Sequence, residues 1–300
     1  MFNLKIDNPN LHSILESLSG KNIDYFHNNG NSGDSIISVA AYQTFDKFDI
    51  KVSAYNKPRA HKQTSDTLFI AGGGNLVSYY PDCERAIKEG MKKYDKIIVL
   101  PHSIRGKEEL LKKMDKRFTV FTREVPSHEY VKSMVRSDVT VHLEHDMAFF
   151  MDVKAIFEDP TINEKANKFY INKLRSIGRG PEDVIGKDNY CFREDVEAVV
   201  EVKSSQNVDI SHLFERGLDR TNSFIAANAF LKYIDASKSI TTSRLHTGIG
   251  AAMCGTPATV FDNSYGKISS IYEFSMKDRG YNFRVGLIDE MRSIIERIED

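Results

Sequence analysis

Short apolar runs alternate with amphipathic segments along most of the chain. In the first half, the apolar runs predict buried strands over residues 50–54, 67–71, 96–101, 118–122 and 139–143. Between them, apolar side chains recur at helical spacing and predict helices over 35–45, 82–93, 107–115 and 127–135. This alternation is typical of α/β proteins whose parallel strands are joined by helices. We therefore expect a parallel sheet in the first half of the chain.

The pattern changes near the middle of the chain, where residues 152–187 are polar, loosely helical and interrupted by Pro and Gly. Such a shift marks a connection between domains. We predict an N-terminal α/β domain over 1–160, a linker over 161–187 and a C-terminal α/β domain over 188–300. In this last domain, strands are predicted over 189–193, 239–243 and 258–262, and helices over 223–233, after Arg244 and over 287–298. The final helix is expected to pack back on the first domain.

Composition and charge narrow the function classes. The chain has 300 residues, about two domain lengths, and its formal net charge of −1 gives no electrostatic footprint for nucleic acid. Its three cysteines, Cys83, Cys191 and Cys254, are far apart and form no CxxC pair, so we expect reduced thiols and a cytoplasmic location. The opening sequence MFNLKIDNPNLHSILESL has no apolar leader, and no run is long enough to cross a bilayer. Neither export nor membrane insertion is predicted.

The most informative junction joins the β-branched run 239–243 to a small-residue helix. Thr242 or Ser243 is placed to cap this helix, so Arg244 and His246 are predicted in its first turn. The unpaired N–H groups and positive dipole end of a helix start favour an anion, and these two side chains predict a phosphate or carboxylate site. The alternative is a capped helix with an exposed arginine and a packed histidine. In that case three glycines serve close packing and the C-cap: Gly248, Gly250 and Gly255.

Two further loops are rich in glycine. The sequence NNGNSGDSIISVAA, from residue 28 to 41, opens a helix with Asp34 in or near its first turn. The strand over 67–71 runs into the turn Gly72-Gly73-Gly74-Asn75. Consecutive glycines let a ligand or another backbone approach closely. Neither loop carries the dinucleotide pattern G-x-G-x-x-G after a strand or the Gly-Lys-Ser/Thr of a P-loop.

Metal and serine chemistry have little support in the sequence. His142, His145 and Asp146 are possible ligand types. However, residues three positions apart on a strand point to opposite faces, and the sequence has no HExxH motif or Cys/His quartet. No metal site is therefore predicted. The nucleophile elbow Gly-x-Ser-x-Gly is also absent, which argues against a serine hydrolase.

Taken together, the loops resemble those of the polysaccharide pyruvyl transferase family, in that family's order. The resembling pieces are GNSGD (30–34), AGGGN (71–75), VLPHSIRG (99–106), FTREVPSHEYV (121–131), HDMAFFMD (145–152), YCFRED (190–195) and TSRLHTGIGAAMCGTP (242–257), with Lys267 beyond. Family members often have a second glycine soon after the GGGN-like turn and Gln before Ser in the Leu-Pro-x-Ser piece. This chain departs from both features, at Leu76 and at His102.

The resemblance implies two Rossmann-like domains in a GT-B-like arrangement, with the active site in the interdomain cleft. It implies a ketal pyruvyltransferase that moves pyruvate from phosphoenolpyruvate to a sugar of a bacterial exopolysaccharide or surface-polysaccharide precursor. The N-terminal domain would be the acceptor side and the C-terminal domain the donor side. Phosphoenolpyruvate would be a co-substrate, with no cofactor and no metal, and the acceptor would be a sugar or lipid-linked oligosaccharide. A homo-oligomer and peripheral association with membrane-bound polysaccharide machinery are both compatible with this reading.

The resemblance and the chemistry of the donor together suggest roles for particular residues. A phosphate next to a carboxylate needs cations in a fixed fork, so the donor-binding residues are predicted to be Arg193, Arg244, His246 and Lys267. His246 would protonate the methylene carbon of the donor, or donate a hydrogen bond to its phosphate. Arg244 and Asp34 complete the predicted catalytic set, with Asp34 as a base or as an orienting group. The predicted acceptor-binding residues are Gly73, Gly74, Asn75, His102 and Ser103.

Two other functions remain open from the sequence. One is a nucleotide-sugar glycosyltransferase of GT-B type, whose arginines and lysine would grip a diphosphate. The other is a homologue without catalysis that binds a glycan or phosphate within a biosynthetic complex, of which Leu76 and His102 would be early signs.

Overall fold

Two parallel sheets organise the chain in a computed structural model that describes residues 6–56, 59–262 and 266–299. The chain forms two units. The first contains residues 6–29 and 40–151, and the second contains residues 30–39 and 152–299. The strands described in each unit pair in parallel, which confirms the predicted α/β class.

The first unit is built on a seven-stranded sheet. Its strands are β1 (Asn22–Phe26), β2 (Lys51–Ala54), β3 (Thr67–Ile70), β4 (Gly73–Leu76), β5 (Lys96–Ile104), β6 (Phe118–Thr122) and β7 (Thr140–Leu143). They follow the order β2-β1-β3-β5-β6-β7, and β4 also pairs with β5. Strands β3 and β5 are buried along nearly their whole length, as expected for central strands of a parallel sheet.

Helices connect these strands. They are α1 (Pro9–Ser17), α2 (Ser32–Lys47), α3 (Asp82–Gly90), α4 (Glu108–Leu111) and α5 (Val125–Met134), and a 3₁₀ helix spans Met147–Phe150. Helix α2 belongs to the second unit up to Val39 and to the first unit from Ala40. The four helices predicted in this half are confirmed, although α4 is one short turn instead of the longer helix predicted over 107–115.

Strand β1 lies next to the centre of the sheet, but the apolar pattern does not predict it because Asp24 interrupts the run. The Asp24 carboxylate is buried and accepts hydrogen bonds from the backbone N of Thr64 at 3.0 Å and the hydroxyl of Tyr94 at 2.8 Å. Burial raises the pKa of Asp24, but the hydrogen bonds outweigh this effect and hold the pKa below its usual range. A buried charge can therefore occupy a core strand when its oxygens are satisfied.

The second unit is built on a four-stranded sheet. Its strands are β8 (Asp188–Cys191), β9 (Ser239–Thr242), β10 (Ala258–Phe261) and β11 (Phe283–Gly286), in the order β11-β10-β9-β8. Its helices are α6 (Val153–Glu158), α7 (Pro160–Ser176), α8 (Ile210–Leu213), α9 (Arg220–Ala236), α10 (Leu245–Cys254), α11 (Lys267–Ile271) and α12 (Ile288–Glu299). A 3₁₀ turn spans Pro181–Asp183 and a π-helical turn spans Tyr272–Met276.

The segment predicted as a linker over 161–187 is part of the second unit, and most of it forms helix α7. The Asp159 carboxylate caps this helix by accepting a hydrogen bond from the backbone N of Ile162 at 2.9 Å. Ala166, Tyr170 and Leu174 are buried at four-residue spacing, and α7 packs on α9. The linker prediction is wrong because a narrow apolar stripe is easily missed in a mostly polar helix.

The last helix, α12, packs within the second unit. Met291, Ile295 and Ile298 form one apolar cluster with Phe192 and Phe261. The structure therefore places the apolar face of this helix in the core of the second unit. Its strong amphipathic pattern predicts a buried face but does not identify the partner of that face.

The three cysteines, Cys83, Cys191 and Cys254, are free, as predicted. Burial raises the pKa of all three thiols, that of Cys254 to about 12. Among the described residues, none of the helices is both long and apolar enough to cross a bilayer. The prediction that the chain has no apolar leader rests partly on residues 1–5, which lie outside the described residues.

Candidate active site

Arg193 and Arg244 follow neighbouring strands of the second sheet. Strands β8 and β9 pair in parallel, with Cys191 opposite Thr242 at their carboxyl ends. Each arginine lies two residues beyond the end of its strand, where parallel α/β sheets bind their ligands. The Ser243 hydroxyl accepts a hydrogen bond from the backbone N of Arg193 at 3.1 Å, which joins the two strand ends.

One carboxylate connects the two guanidinium groups. Asp195 accepts hydrogen bonds from Arg193 Nε at 2.8 Å and Nη2 at 3.1 Å, and from Arg244 Nη1 at 2.7 Å. Asp209 binds Arg244 a second time, through Nε at 3.1 Å and through Nη2. Both arginines are 6% exposed, so these are buried ion pairs. The structure thus brings the two predicted donor-binding arginines together.

Lys267 joins the same group of charges through Glu197. A single oxygen of Glu197, Oε2, accepts from Arg193 Nη1 at 3.0 Å and from Lys267 Nζ at 3.3 Å. Lys267 is the first residue of α11 and follows Gly266, which has φ +73°. Residues 263–265, which separate it from strand β10, lie outside the described residues.

We call these six residues the arginine–carboxylate cluster: Arg193, Asp195, Glu197, Asp209, Arg244 and Lys267. Three cations face three carboxylates, so the formal charges of the cluster balance. The cations are predicted from the sequence and the carboxylates are not. The motif FREDVE carries a usable signal for two of them, since Asp195 and Glu197 follow Arg193 by two and four positions. Asp209 precedes α8 and has no such local signal.

The electrostatics of the cluster keep Asp195 ionised. Burial alone would raise the pKa of Asp195, but the nearby His212 ring, the hydrogen bonds from Arg193 and the charge of Arg244 outweigh it and hold the pKa far below its usual range. The pKa of Arg193 rises despite its burial, because Asp195 and Glu197 stabilise its charged form. The half-exposed His212 has a raised pKa, mainly because the Asp195 carboxylate lies close to its ring, with Oδ2 at 3.7 Å from Nε2.

A cleft borders the cluster. It has an open volume of about 250 Å³, and it is lined by Phe192, Arg193, Glu197, Val199, Val200, Ser243, Asp262 and Met291. One part of the lining is therefore charged and the other part is apolar.

Helix α10 begins beside the cluster. It starts at Leu245, with Arg244 as the N-cap residue, and no side chain caps it. The Thr242 hydroxyl accepts from the backbone N of Arg244 at 3.0 Å instead of capping the helix, so the predicted Thr or Ser cap is wrong. Arg244 lies one residue before the predicted first turn, and His246 lies within it, partly buried. A helix start without a side-chain cap leaves backbone N–H groups that favour an anion.

The start of helix α2 lies against His246. A Cβ atom built on Gly33 would be 2.9 Å from the Cβ of His246 and 3.2 Å from its Nδ1. Real side-chain contacts are longer than this, so only glycine fits at position 33 with the ring where it is. The GNSGD and SRLH motifs therefore meet within the second unit, which sequence separation alone does not predict.

Asp34 helps to cap helix α2. Its Oδ2 accepts from the backbone N of Asn31 at 3.1 Å, while the Asn31 side-chain oxygen accepts from the backbone N of Gly33 at 2.9 Å. This reciprocal arrangement stabilises the start of the helix. Asp34 is partly buried, and its predicted role as a base or orienting group stays a prediction.

The three glycines of helix α10 have structural roles. A Cβ on Gly248 would lie 2.6 Å from Phe283, and a Cβ on Gly250 would lie 3.0 Å from Ile234. Gly255 ends the helix with φ +80°, in the left-handed region. The interpretation of these residues as close-packing and C-cap glycines is confirmed.

In the first unit, the GGGN turn is a strand. Gly73, Gly74, Asn75 and Leu76 form β4, which pairs with β5, so the predicted loop is wrong here. Glycine is disfavoured in strands, and a run of three therefore predicts a turn. Gly73 is buried, whereas Gly74 and Asn75 are partly exposed. The side-chain Nδ2 of Asn75 donates a hydrogen bond to the backbone O of Asn29 at 2.8 Å. Contact of Gly74 and Asn75 with an acceptor stays a prediction.

His102 is a structural residue. Its ring is fully buried, and Nε2 accepts hydrogen bonds from the backbone N of Asn75 at 2.9 Å and of Leu76 at 3.1 Å. Nδ1 lies 3.1 Å from Ala71 O, which fixes the tautomer with the proton on Nδ1. Burial, followed by the charge of Arg123, lowers the pKa of His102 to about 3. With both ring nitrogens used and no exposure, the predicted acceptor contact by this side chain is wrong.

Ser103 is also buried in the core of the first unit. It is 2% exposed, and its hydroxyl accepts from Arg123 Nε at 2.9 Å. Arg123 forms a buried ion pair with Asp146, with Nη1 at 2.6 Å from Oδ2. The predicted contact of Ser103 with an acceptor is therefore replaced by a role in holding Arg123.

The side chains weighed as metal ligands have other contacts. His142 stacks on Phe121 at 5.3 Å between ring centroids, and Asp146 pairs with Arg123. Across residues 6–56, 59–262 and 266–299, no group of three or more His, Cys, Asp or Glu side chains is arranged to hold a metal ion.

Sequence comparison identifies the family. The profile described as "Polysaccharide pyruvyl transferase" matches residues 31–265, which is more than half of the chain. The chain belongs to this family. It is accordingly a transferase.

Similar proteins agree with this assignment. The chain is 24% identical over 275 residues to "Putative pyruvyl transferase EpsO" of Bacillus subtilis strain 168, covering 83% of each chain. It is 28% identical over 227 residues to "General stress protein 30" of the same organism, a match that covers 69% of this chain and 60% of that protein. A crystal structure of an uncharacterised protein from Klebsiella pneumoniae is similar in fold, with a TM-score of 0.73 and 27% identity, and covers 96% of this chain and 100% of that one.

The pyruvyl transferase match includes most of the arginine–carboxylate cluster. Arg193, Arg244 and His246 fall inside the matched residues, whereas Lys267 lies two positions beyond their end. Among family members Gln often stands where this chain has His102. A Gln amide can accept and donate hydrogen bonds as the His102 ring does in this chain.

Proposed function

We propose that the protein transfers the pyruvyl group of phosphoenolpyruvate to two hydroxyls of a sugar in a bacterial surface-polysaccharide precursor, forming a cyclic ketal. The observation that carries this proposal is the pair of buried arginines joined by Asp195, next to the uncapped start of helix α10. Two guanidinium groups at fixed spacing suit a ligand with two anionic groups. Phosphoenolpyruvate is such a ligand, since it carries a phosphate and a carboxylate on neighbouring atoms.

The two arginines keep donors for a ligand. A guanidinium group has five N–H donors in a fixed fork. In the part of the chain that the structure describes, Arg193 and Arg244 each donate three hydrogen bonds to carboxylates. This leaves two N–H donors on each group for phosphate or carboxylate oxygens. Asp195 and Asp209 hold the forks in place, which lowers the entropy cost of binding.

The chemistry of ketal formation assigns a role to His246. A proton is added to the methylene carbon of the donor, and the first sugar hydroxyl then forms a bond to C2 and gives up its proton. The bond from C2 to the phosphate oxygen breaks, inorganic phosphate leaves, and the second hydroxyl closes the ring with loss of its proton. A general acid is needed beside the cations, and we assign this step to His246, two residues after Arg244.

In the second unit, Asp34, at the start of α2, would orient a sugar hydroxyl of the acceptor or accept its proton. The similarity to EpsO, whose name includes pyruvyl transferase, supports a transferase role. We place the reaction in the cytoplasm, because three free cysteines fit a reducing compartment.

The decisive experiment incubates the purified protein with phosphoenolpyruvate and extracts of lipid-linked saccharides, and follows phosphate release and the mass of the saccharide. A pyruvyl ketal on the saccharide, formed also in the presence of a chelator, supports the proposal. Thermal-shift measurements with phosphoenolpyruvate and with nucleotide sugars separate the alternatives. Stabilisation by a nucleotide sugar alone would favour a glycosyltransferase, and binding of phosphoenolpyruvate without turnover on any saccharide would favour a binding protein.

A further inference from the structure

Arg193 is held by two carboxylates that make different contacts. Asp195 binds it through Nε and Nη2, and Glu197 binds it through Nη1. Both acids follow Arg193 closely in the chain, and both have buried or largely buried side chains. Their second partners differ, because Asp195 also binds Arg244 whereas Glu197 also binds Lys267.

Asp195 has the contacts of a fixed support. One oxygen, Oδ2, accepts from both arginines, and the other, Oδ1, accepts from Arg193 Nε and from the backbone N of Glu197 at 3.1 Å. Both carboxylate oxygens are therefore used, by groups in the turn that follows β8 and by Arg244 after β9. Removing this carboxylate would remove the group that joins the two guanidinium groups directly, while Asp209 would still hold Arg244 and Glu197 would still hold Arg193.

Glu197 has the contacts expected of a bound anion. A single oxygen bridges Arg193 and Lys267, as one oxygen of a phosphate or carboxylate ligand would. The side chain is 7% exposed and lines the cleft beside Arg193. Its neighbour Val196 is 79% exposed, so moving the Glu197 carboxylate away from the cations does not require Val196 to leave a core.

We propose that these two carboxylates have opposite effects on donor binding: Asp195 is a positioning residue for Arg193 and Arg244, and Glu197 competes with the donor for Arg193 and Lys267. This inference rests on the proposed function for the identity of the donor. Donor binding then replaces the Glu197 carboxylate by a ligand oxygen, while the Asp195 bridge is kept.

Simple electrostatics does not predict opposite effects. Removing either negative charge near two arginines should strengthen the binding of an anion. A lower affinity after loss of the Asp195 charge therefore requires that the lost geometry outweighs the gained charge. Whether donor affinity falls or rises after loss of the Asp195 charge therefore separates a positioning role of Asp195 from a purely electrostatic one.

The test measures the affinity of the full chain for phosphoenolpyruvate and for inorganic phosphate by titration calorimetry. Asp195→Asn is expected to weaken binding by about ten-fold or more, since it disturbs charge-assisted bonds on both arginines. Glu197→Gln is expected to strengthen binding by about three-fold or more and to lower KM while changing kcat less. Glu290→Gln is a matched control, because Glu290 pairs with Arg284 away from the cluster and should leave affinity unchanged.

Each result decides one part of the proposal. Tighter binding in both variants would show that only charge matters and would overturn the positioning role of Asp195. Weaker binding in both would overturn the competition by Glu197. If Asp195→Asn does not fold, Asp195→Glu, which keeps the charge and alters the distances, is expected to weaken binding, and unchanged affinity would contradict the proposal. A wild-type protein that binds phosphate but not phosphoenolpyruvate would refute the proposed donor and still allow both carboxylates to be tested with phosphate.

Discussion

Gly33 and His246 are in direct contact, and the contact leaves no room for a side chain at position 33. A Cβ atom there would approach the His246 Cβ to 2.9 Å. The first turn of helix α2 therefore limits where the imidazole ring can lie. From its sequence context, Gly33 is predicted only to lie in a loop. The structure shows that it also borders His246, the proposed general acid.

The first prediction is that Gly33→Ala lowers turnover by about ten-fold or more with little loss of stability. The added methyl displaces His246, and a shift of about 1 Å in a catalytic group can cost two orders of magnitude in rate. Alanine is a better helix former than glycine, which partly offsets the cost of the contact. Steady-state kinetics and thermal unfolding measure the two effects separately.

Gly180→Ala provides the control. The atoms near Gly180 belong to the flexible end of the Glu182 side chain, and its φ of −118° suits alanine. This variant is expected to keep normal turnover. Equal kinetics in both variants would show that the position of His246 is not limited by α2.

The second prediction concerns His246 itself. If its proton is added to the methylene carbon, His246→Gln should lower kcat by about two to four orders of magnitude and change donor affinity far less, because the lost interaction belongs to the transition state. Near-normal turnover in a stable His246→Gln protein would remove His246 as the acid and leave the arginines as a binding site.

The third prediction concerns the arginines. Arg193→Ala and Arg244→Ala should each weaken donor binding by about 1.5 to 3 kcal/mol, the usual loss for a charge-assisted contact. Arg244→Ala leaves the buried Asp209 without its arginine, and Arg193→Ala removes one of two cations from both Asp195 and Glu197, so some loss of thermal stability is expected in each variant. Arg284→Ala is the control, because Arg284 is 57% exposed and pairs with Glu290 outside the cluster. Unchanged donor affinity in folded Arg193→Ala and Arg244→Ala proteins would contradict the proposed site.

The pattern of apolar residues predicts a strand or helix well when successive side chains of that element are buried. Strand β6 is predicted with the bounds it has, because Phe118, Val120 and Phe121 form an apolar run that ends at a polar turn. Strand β4 is missed because its glycines have no apolar side chains to show a pattern. Local pattern cannot show that a backbone segment pairs with a distant strand, since that pairing depends on the tertiary fold.

Prediction of the candidate site from the sequence is limited in the same way, because local pattern does not show contacts made by the tertiary fold. Arg193 and Arg244 are predicted from strand ends and helix starts, which are local features. Asp209 lies in the segment between β8 and α9 and joins the cluster by its hydrogen bond with Arg244. This contact depends on the tertiary fold and has no local sequence signal. His102 is misread for a related reason. A polar residue near a strand end suggests a ligand contact, but the pairing of β4 with β5 buries this one.

The fourth prediction uses the buried, neutral state of His102. Its pKa is lowered from 6.5 to about 3, first by burial and then by the charge of Arg123. Protonation of Nε2 would place a second N–H against the backbone N–H groups of Asn75 and Leu76. The folded protein therefore resists a proton that the unfolded chain accepts. Stability from this residue is complete above about pH 6.5 and is lost as the pH falls towards 3.

The expected slope is about 1.4 kcal/mol in the free energy of unfolding per pH unit, across the range in which only the unfolded chain is protonated. His102→Gln keeps an acceptor for the two backbone N–H groups and a donor for Ala71 O, and it has no proton to gain. Urea unfolding, followed by far-UV circular dichroism because the chain has no Trp, is measured for both proteins between about pH 7 and about pH 4.5. The variant should lose less stability than the wild type over this range, by about 2 kcal/mol or more. Parallel pH profiles would show that His102 is already charged in the folded protein, and the tautomer and its hydrogen bonds to β4 would then have to be reassigned.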